Sequence, residues 1–163
     1  AQFIDCRKID DDQIFNIGQE TIEVFATPGH TMDSVTFKTK EFIITGDKLF
    51  NGTVGNCFSG DLLAFFNSLK RIISLPGSTK IYAGHDYVME SLKYTRIIEP
   101  DNPELDGYKD KYNPDHIVSC LADELEVNPY LRFNLPSMIR RLEEKNLPRE
   151  TESQRFSSIM EIY

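Results

Sequence analysis

The chain has 163 residues, a formal net charge of −8 and a pI near 4.9. This length supports one ordinary domain with an appended subdomain and excludes a large multidomain protein. The negative charge disfavours nucleic acid and membrane surfaces as partners, because both would repel an acidic chain at long range.

The apolar runs and the cysteines indicate where the protein resides. No run is long and apolar enough for a membrane span or the core of a signal peptide, so we expect a cytoplasmic protein. Cys6, Cys57 and Cys120 lie far apart without a CxxC spacing. This pattern favours reduced, structural thiols over a disulfide framework or a zinc knuckle.

The first hundred residues alternate between strand and helix patterns. Period-two alternation next to Gly and Pro predicts four strands, followed by a helix, a fifth strand and a second helix. The first helix begins after the N-cap Asp61 and stops before Pro76. In chain order the segments are "QIFNIG", "TIEVFAT", "SVTFKT", "EFIITGD", the helix from Asp61, "KIYAGH", and the helix from Val88 to Ile98.

The composition changes after Glu99 to a polar, proline-rich stretch that reads as turns around one short helix. Three short helices are predicted beyond it, near residues 119–126, 136–145 and 151–163. The last begins with Thr151 and Gln154 in the spacing of a capping box. We therefore predict an α/β part over residues 1–100 and a helical subdomain over residues 101–163.

Three small-residue turns follow three predicted strands: "TPGH" (27–30), "TGD" (45–47) and "AGH" (83–85). Each turn delivers one metal-binding group, namely His30, Asp47 and His85. Imidazole and carboxylate are common zinc ligands, and the two oxygens of a carboxylate can bridge two ions. Taken singly, each is an ordinary turn residue. The ordered combination favours a single site.

The segments "ATPGHT", "ITGDKLF", "YAGHDY", "SLKYTRIIEPDNPEL" and "SCLADELEVNPYLR" occur in the order of a known family. In these segments the chain resembles the glyoxalase II (hydroxyacylglutathione hydrolase) branch of the metallo-β-lactamase superfamily. The resemblance implies an α+β fold: the C-terminal half of an αββα sandwich, followed by a small helical subdomain. It also implies that His30 binds one metal ion, that His85 binds the other, and that Asp47 bridges them.

The family resemblance further implies the chemistry. The cofactor would be a dinuclear zinc centre, with iron or manganese as alternatives, and Tyr87 would contact the substrate. The reaction would be hydrolysis of a small-molecule thioester, either hydroxyacyl-glutathione or a related thiol carrier, by a metal-activated hydroxide. Asp47 would be central to catalysis as the shared ligand.

Parts of the family pattern are absent. The upstream Thr-His-x-His-x-Asp-His segment does not occur, and the only histidines are His30, His85 and His116. We therefore expect a C-terminal portion that by itself binds metal weakly, lacks hydrolase activity, and self-associates or pairs with the missing N-terminal half. The positions expected to hold substrate-binding cations carry Cys57, Ser157 or Ser158, and Met160. A noncatalytic binding or assembly module, and another hydrolase of the superfamily, stay open as alternatives.

Overall fold

The computed structural model describes residues 8–162, so Cys6 lies outside the described residues. These residues form eight strands and six helices, and no described helix is long and apolar enough to cross a membrane. In chain order the elements are β1 (Ile14–Ile17), β2 (Glu20–Ala26), β3 (Val35–Lys38), β4 (Phe42–Gly46), β5 (Leu49–Phe50), β6 (Thr53–Val54), α1 (Leu62–Ile73), β7 (Lys80–Ala83), α2 (Val88–Ile98), α3 (Glu104–Lys111), β8 (Ser119–Cys120), α4 (Leu121–Val127), α5 (Pro136–Glu144) and α6 (Glu152–Ile162).

Six of the strands form one mixed sheet in the order β1-β2-β3-β4-β7-β8. Strands β1 to β4 are joined as consecutive antiparallel neighbours, whereas β7 lies parallel to β4 after the crossover through α1. Because β2 and β4 are each antiparallel to β3, they run in the same direction as β7. The C-terminal ends of β2, β4 and β7 therefore meet at one edge of the sheet.

Helices α1 and α6 cover one face of this sheet. The α1 side chains Phe65 and Leu69 pack in one cluster with Ile43 of β4, Ile81 of β7 and Phe156 of α6. The predicted start of α1 is confirmed, since the Asp61 carboxylate accepts the Ala64 N–H at 2.8 Å. Full burial of each large apolar side chain contributes about 1.5–3 kcal/mol, so this cluster is the main core.

The opposite face of the sheet is also apolar. The register aligns Val24, Phe37, Ile44 and Tyr82 in one row across β2, β3, β4 and β7. Within this row Val24 is buried, whereas Ile44 remains 44% exposed. The sheet thus has one face covered by helices and one face that stays partly open.

The polar segment after α2 contains one short helix, α3, as predicted, and the three later helices are also confirmed. The capping box at the start of α6 is present, because Thr151 Oγ1 accepts the Gln154 N–H and Gln154 Oε1 accepts the Thr151 N–H. Helix α4 begins later than predicted, because Ser119 and Cys120 form β8 and pair with β7. The boundary between residues 1–100 and 101–163 stays a prediction.

The sequence patterns did not indicate the β5–β6 hairpin, which is held by a buried carboxylate. Glu124 of α4 accepts hydrogen bonds from Tyr108 Oη (2.5 Å) and Ser119 Oγ (2.6 Å). Its second oxygen accepts from the Gly52 N–H (2.8 Å) and from Asn128 Nδ2 (3.2 Å). Burial raises the pKa of Glu124. The four donors connect the hairpin to α3 and α4 through a single side chain.

We predict that Glu124→Gln lowers the free energy of unfolding by about 1–3 kcal/mol. The amide accepts hydrogen bonds only through its oxygen, so two of the four donors that bind the carboxylate would lose their acceptor or have to reverse their hydrogen bonds. Urea unfolding followed by circular dichroism measures this change. Glu126→Gln, on the exposed side of the same helix, is the control and should change stability by less than about 0.5 kcal/mol. Equal effects from the two variants would contradict the role given to Glu124.

Candidate metal centre

The three residues singled out in the sequence lie together at the edge where β2, β4 and β7 end. His30 Nε2 is 3.7 Å from one carboxylate oxygen of Asp47, and His85 Nε2 is 3.5 Å from the other. The His30 side chain is mostly buried, whereas the His85 side chain is more exposed. Asp47 therefore stands between two imidazoles that approach its two oxygens separately.

These separations fit pairs of metal ligands better than direct hydrogen bonds. Two ligand atoms at about 2.0–2.2 Å from one tetrahedral zinc ion lie about 3.4 Å apart. Among residues 8–162, no three His, Cys, Asp or Glu side chains form a group that would hold one ion. The donors instead form two pairs that share Asp47, which is the arrangement a bridging carboxylate requires.

The hydrogen bond at Nδ1 determines which tautomer His30 adopts. His30 Nδ1 lies 2.9 Å from the carbonyl oxygen of Asn56. A carbonyl oxygen only accepts hydrogen bonds, so Nδ1 carries the proton and donates it. In the neutral ring the Nε2 lone pair is then directed at Asp47, which is the protonation state that ligates a metal.

The β4–β7 pairing brings Asp47 and His85 together. The Gly84 N–H donates to the Gly46 carbonyl at 3.0 Å, and this bond joins the two turns directly. Gly46 has a φ of +54°, a conformation that glycine adopts at low cost. At Gly84 a Cβ would lie less than 3.0 Å from Asp47 Oδ1, so any larger residue would force the carboxylate to move. Gly46 is thus favoured by its backbone angle, and Gly84 by its close approach to Asp47.

The turn that carries His30 is held from several sides. Ser59 Oγ donates to the Gly29 carbonyl at 2.7 Å, and Ser68 Oγ donates to the Pro28 carbonyl at 2.8 Å. The Lys48 ammonium donates to the same Pro28 carbonyl at 2.8 Å. Burial lowers the pKa of Lys48 to about 7. No sequence pattern indicated a role for Lys48, because an isolated lysine after a turn is usually exposed.

Aromatic rings line the cleft beside the three residues, which has a volume of about 380 Å³. The Phe58 ring packs edge-on against the His30 imidazole at 5.0 Å. Tyr87 lies 5.6 Å from His85 and makes an edge contact with Phe50 at 4.9 Å. The predicted substrate-contact residue Tyr87 therefore borders the same cleft as the metal-ligand candidates.

The other positions considered in the sequence lie away from the cleft or in the core. Cys57 is free and partly buried against the main core, and Cys120 is also free. Ser158 is buried and donates to the Pro148 carbonyl at 2.7 Å. His116 makes a ring contact with Tyr82 at 6.0 Å and lies outside the cleft lining.

Comparison with known proteins supplies an independent line of evidence. Residues 86–162 match the family described as "Hydroxyacylglutathione hydrolase C-terminus". The chain is 31% identical over 138 residues to the hydroxyacylglutathione hydrolase of Pseudoalteromonas translucida, a match covering 81% of this chain and 54% of that protein. The chain thus spans about half the length of the curated relatives it matches.

Two solved structures have similar folds. ETHE1 from Myxococcus xanthus has a TM-score of 0.57 and 25% identity, over 93% of this chain and 60% of that one. A second protein, solved in a di-iron-bound form, has a TM-score of 0.53 and 26% identity, over 78% of this chain and 50% of that one. The predicted α+β class and the similarity to metallo-β-lactamase folds are therefore confirmed.

We predict that Gly84→Ala displaces the Asp47 carboxylate and lowers the free energy of unfolding by about 1–3 kcal/mol, because the added methyl group overlaps Asp47 and the Gly46 backbone. Urea unfolding measures the loss, and the ¹⁵N resonances of His85 report the displacement. Gly107→Ala is the control, since its Cβ would meet nothing within 4 Å and alanine is favoured inside a helix. Unchanged His85 resonances in Gly84→Ala would contradict the close approach.

Proposed function

We propose that this chain, which belongs to the hydroxyacylglutathione hydrolase (glyoxalase II) family, forms the C-terminal part of a metal-dependent hydrolase that cleaves a thioester. The observation that carries this proposal is the pairing of two imidazoles, His30 and His85, with the two oxygens of Asp47. The match to the hydroxyacylglutathione hydrolase C-terminal family supports the same reaction class.

The residues of this chain would hold part of a dinuclear centre. His30 Nε2 and His85 Nε2 would each serve as a metal ligand, and the Asp47 carboxylate that lies between them would serve as the shared ligand. When bound, a divalent ion lowers the pKa of a bound water and polarises a carbonyl. We favour zinc, with iron and manganese as alternatives, and the di-iron-bound fold neighbour supports a two-metal site.

The cleft residues would orient the substrate. The rings of Phe58, Phe50 and Tyr87 present apolar surface next to the ligand candidates, and the Tyr87 hydroxyl supplies a polar contact. A thiol leaving group has a pKa of about 8.5, so it departs as thiolate and requires no proton from the protein. The substrate we propose is hydroxyacyl-glutathione or an acyl thioester of a related small thiol, and the proposed location is the cytoplasm.

A noncatalytic binding or assembly module is the second candidate. It is favoured by the finding that the described residues supply two ligand pairs and no group of three potential metal ligands. The two candidates differ in whether the native protein hydrolyses thioesters at all.

The open face of the sheet supports a further part of the proposal. The row Val24, Phe37, Ile44 and Tyr82 is apolar and leaves Ile44 partly exposed. Contiguous apolar surface that is open to solvent is typical of interaction sites. We propose that this face packs against an N-terminal half in the whole protein, and against a second copy in the isolated chain.

We expect the zinc-loaded native protein containing this chain to hydrolyse acyl-glutathione or acyl-CoA thioesters, and Asp47→Asn to lower kcat/KM at least about 100-fold. The reason is that an amide offers only one good donor oxygen to two ions. Release of free thiol measures the rate. Asp115→Asn, an exposed position outside the cleft, is the control. Absence of hydrolysis of either thioester by the wild-type protein would favour the noncatalytic module.

We also expect the 163-residue chain to self-associate, and Ile44→Lys to weaken that association, because a charge would enter the apolar interface. Sedimentation velocity at increasing concentration measures the change. Ile97→Lys is the matched control, since Ile97 is 64% exposed on α2 and lies outside the open face. A wild-type chain that stays monomeric at high concentration would contradict this expectation.

A further inference from the structure

The two ligand pairs are held together in different ways. Asp47 and His85 follow adjacent parallel strands, and the backbone bond from Gly84 to Gly46 connects their turns. His30 follows β2, which is separated from β4 by β3. Within residues 8–162, no strand pairing joins β2 to β4 directly, so side-chain contacts between the two turns also contribute to the distance between His30 and Asp47.

Lys48 provides such a contact from the residue next to Asp47. Its ammonium donates to the Pro28 carbonyl at 2.8 Å and to the Phe65 carbonyl of α1 at 3.0 Å. It also lies over the Phe65 ring, 3.4 Å from the centroid. The side chain therefore reaches from the end of β4 to the backbone two residues before His30.

Gly29 makes room for this ammonium. A Cβ on Gly29 would lie less than 3.0 Å from Lys48 Nζ and from the Phe65 ring. Gly29 also has a φ of +149°, which side-chain-bearing residues rarely adopt. The glycine of the "TPGH" turn thus serves two purposes: it turns the chain toward His30, and it allows Lys48 to pass beneath it.

The burial of Lys48 is costly for the fold. The residue is 1% exposed, and none of the ion pairs among the described residues includes it. A buried ammonium without a carboxylate partner loses hydration that two carbonyls and a ring face offset only in part. An apolar side chain of similar length would fill the same space at lower cost. A purely space-filling role does not account for a lysine here.

We propose that Lys48 is a positioning residue: its ammonium holds the Pro28–His30 turn against the strand end that carries Asp47, and so sets the separation of His30 from Asp47. This inference rests on the proposed function, in which that pair holds a metal ion. The backbone of Lys48 contributes a second connection, because its carbonyl accepts the Gly55 N–H at 3.3 Å, next to the Asn56 carbonyl that binds His30.

The test is Lys48→Met in the 163-residue chain, read by ¹⁵N NMR of the imidazole nitrogens. The chain has three histidines, so each resonance is assignable by single substitutions. We expect His30 to lose the spectrum of a single Nδ1–H tautomer and to shift toward the tautomer mixture of a free histidine. His85 should remain unchanged, because the β4–β7 backbone holds its turn. The thermal midpoint should stay equal or rise, since the cost of burying a polar amino group is removed.

Leu142→Ala is the matched control, because Leu142 is buried in the same core cluster but lies on α5. It should lower the thermal midpoint without changing the His30 tautomer. Unchanged His30 resonances in folded Lys48→Met would overturn the proposal, and so would equal changes at His30 and His85. If Lys48→Met does not fold, Lys48→Gln is read in the same way, because its shorter side chain removes the ammonium and falls short of the Pro28 carbonyl.

A zinc titration of the native protein containing this chain separates this inference from the proposed function. If zinc shifts the ¹⁵N resonances of neither His30 nor His85 in the wild-type protein, the metal-centre proposal fails. The positioning role is then still decided by the effect of Lys48→Met on the His30 tautomer. If zinc shifts both, we expect Lys48→Met to weaken zinc binding at least about 10-fold, in the range seen when residues that orient metal ligands are removed. Unaltered zinc affinity in Lys48→Met would overturn the positioning role.

Discussion

The parallel pairing of β4 with β7 is the constraint on which the candidate site depends. It places the ends of these strands at one edge, with β2 pointing the same way two strands from β4. Asp47 lies so close to the Gly84 backbone that a side chain at Gly84 would overlap its carboxylate. The carboxylate is therefore positioned by main-chain geometry, and its exposure to two imidazoles follows from strand direction.

Two buried ionisable side chains contribute to this geometry. Glu124 binds four donors and attaches the β5–β6 hairpin, which lines the cleft, to α3 and α4. Lys48 connects the Pro28 carbonyl to the turn that carries Asp47. Burying such groups costs free energy, but their hydrogen bonds are directional and fix the positions of the loops more narrowly than apolar packing does. Both side chains act on loops at the site rather than on the centre of the core.

The open sheet face and the two ligand pairs both bear on the proposal that a second segment completes the site. Helices cover one side of the sheet, and Ile44 on the other side remains partly exposed. The chain also spans about half the length of its curated relatives. A partner segment that covered the open face would meet the same sheet edge at which His30, Asp47 and His85 converge. Completion of the fold and completion of the metal centre are therefore linked in the proposed function.

The sequence by itself determined the features that local patterns encode. Apolar periodicity predicted helices α1 and α2, and the Asp61 N-cap and the Thr151–Gln154 capping box predicted where α1 and α6 begin. The three turns that end strands identified His30, Asp47 and His85 as the candidate ligands. The tertiary structure alone decided the hairpin β5–β6, the strand β8 and the buried roles of Lys48 and Glu124. These strands have two residues each, too few for a periodic signal. The contacts that connect the two buried side chains to the site span long stretches of chain, because Gly52 is 72 residues from Glu124 and Pro28 is 20 residues from Lys48. Contacts over such separations arise only when the chain is folded, so no local pattern in the sequence records them.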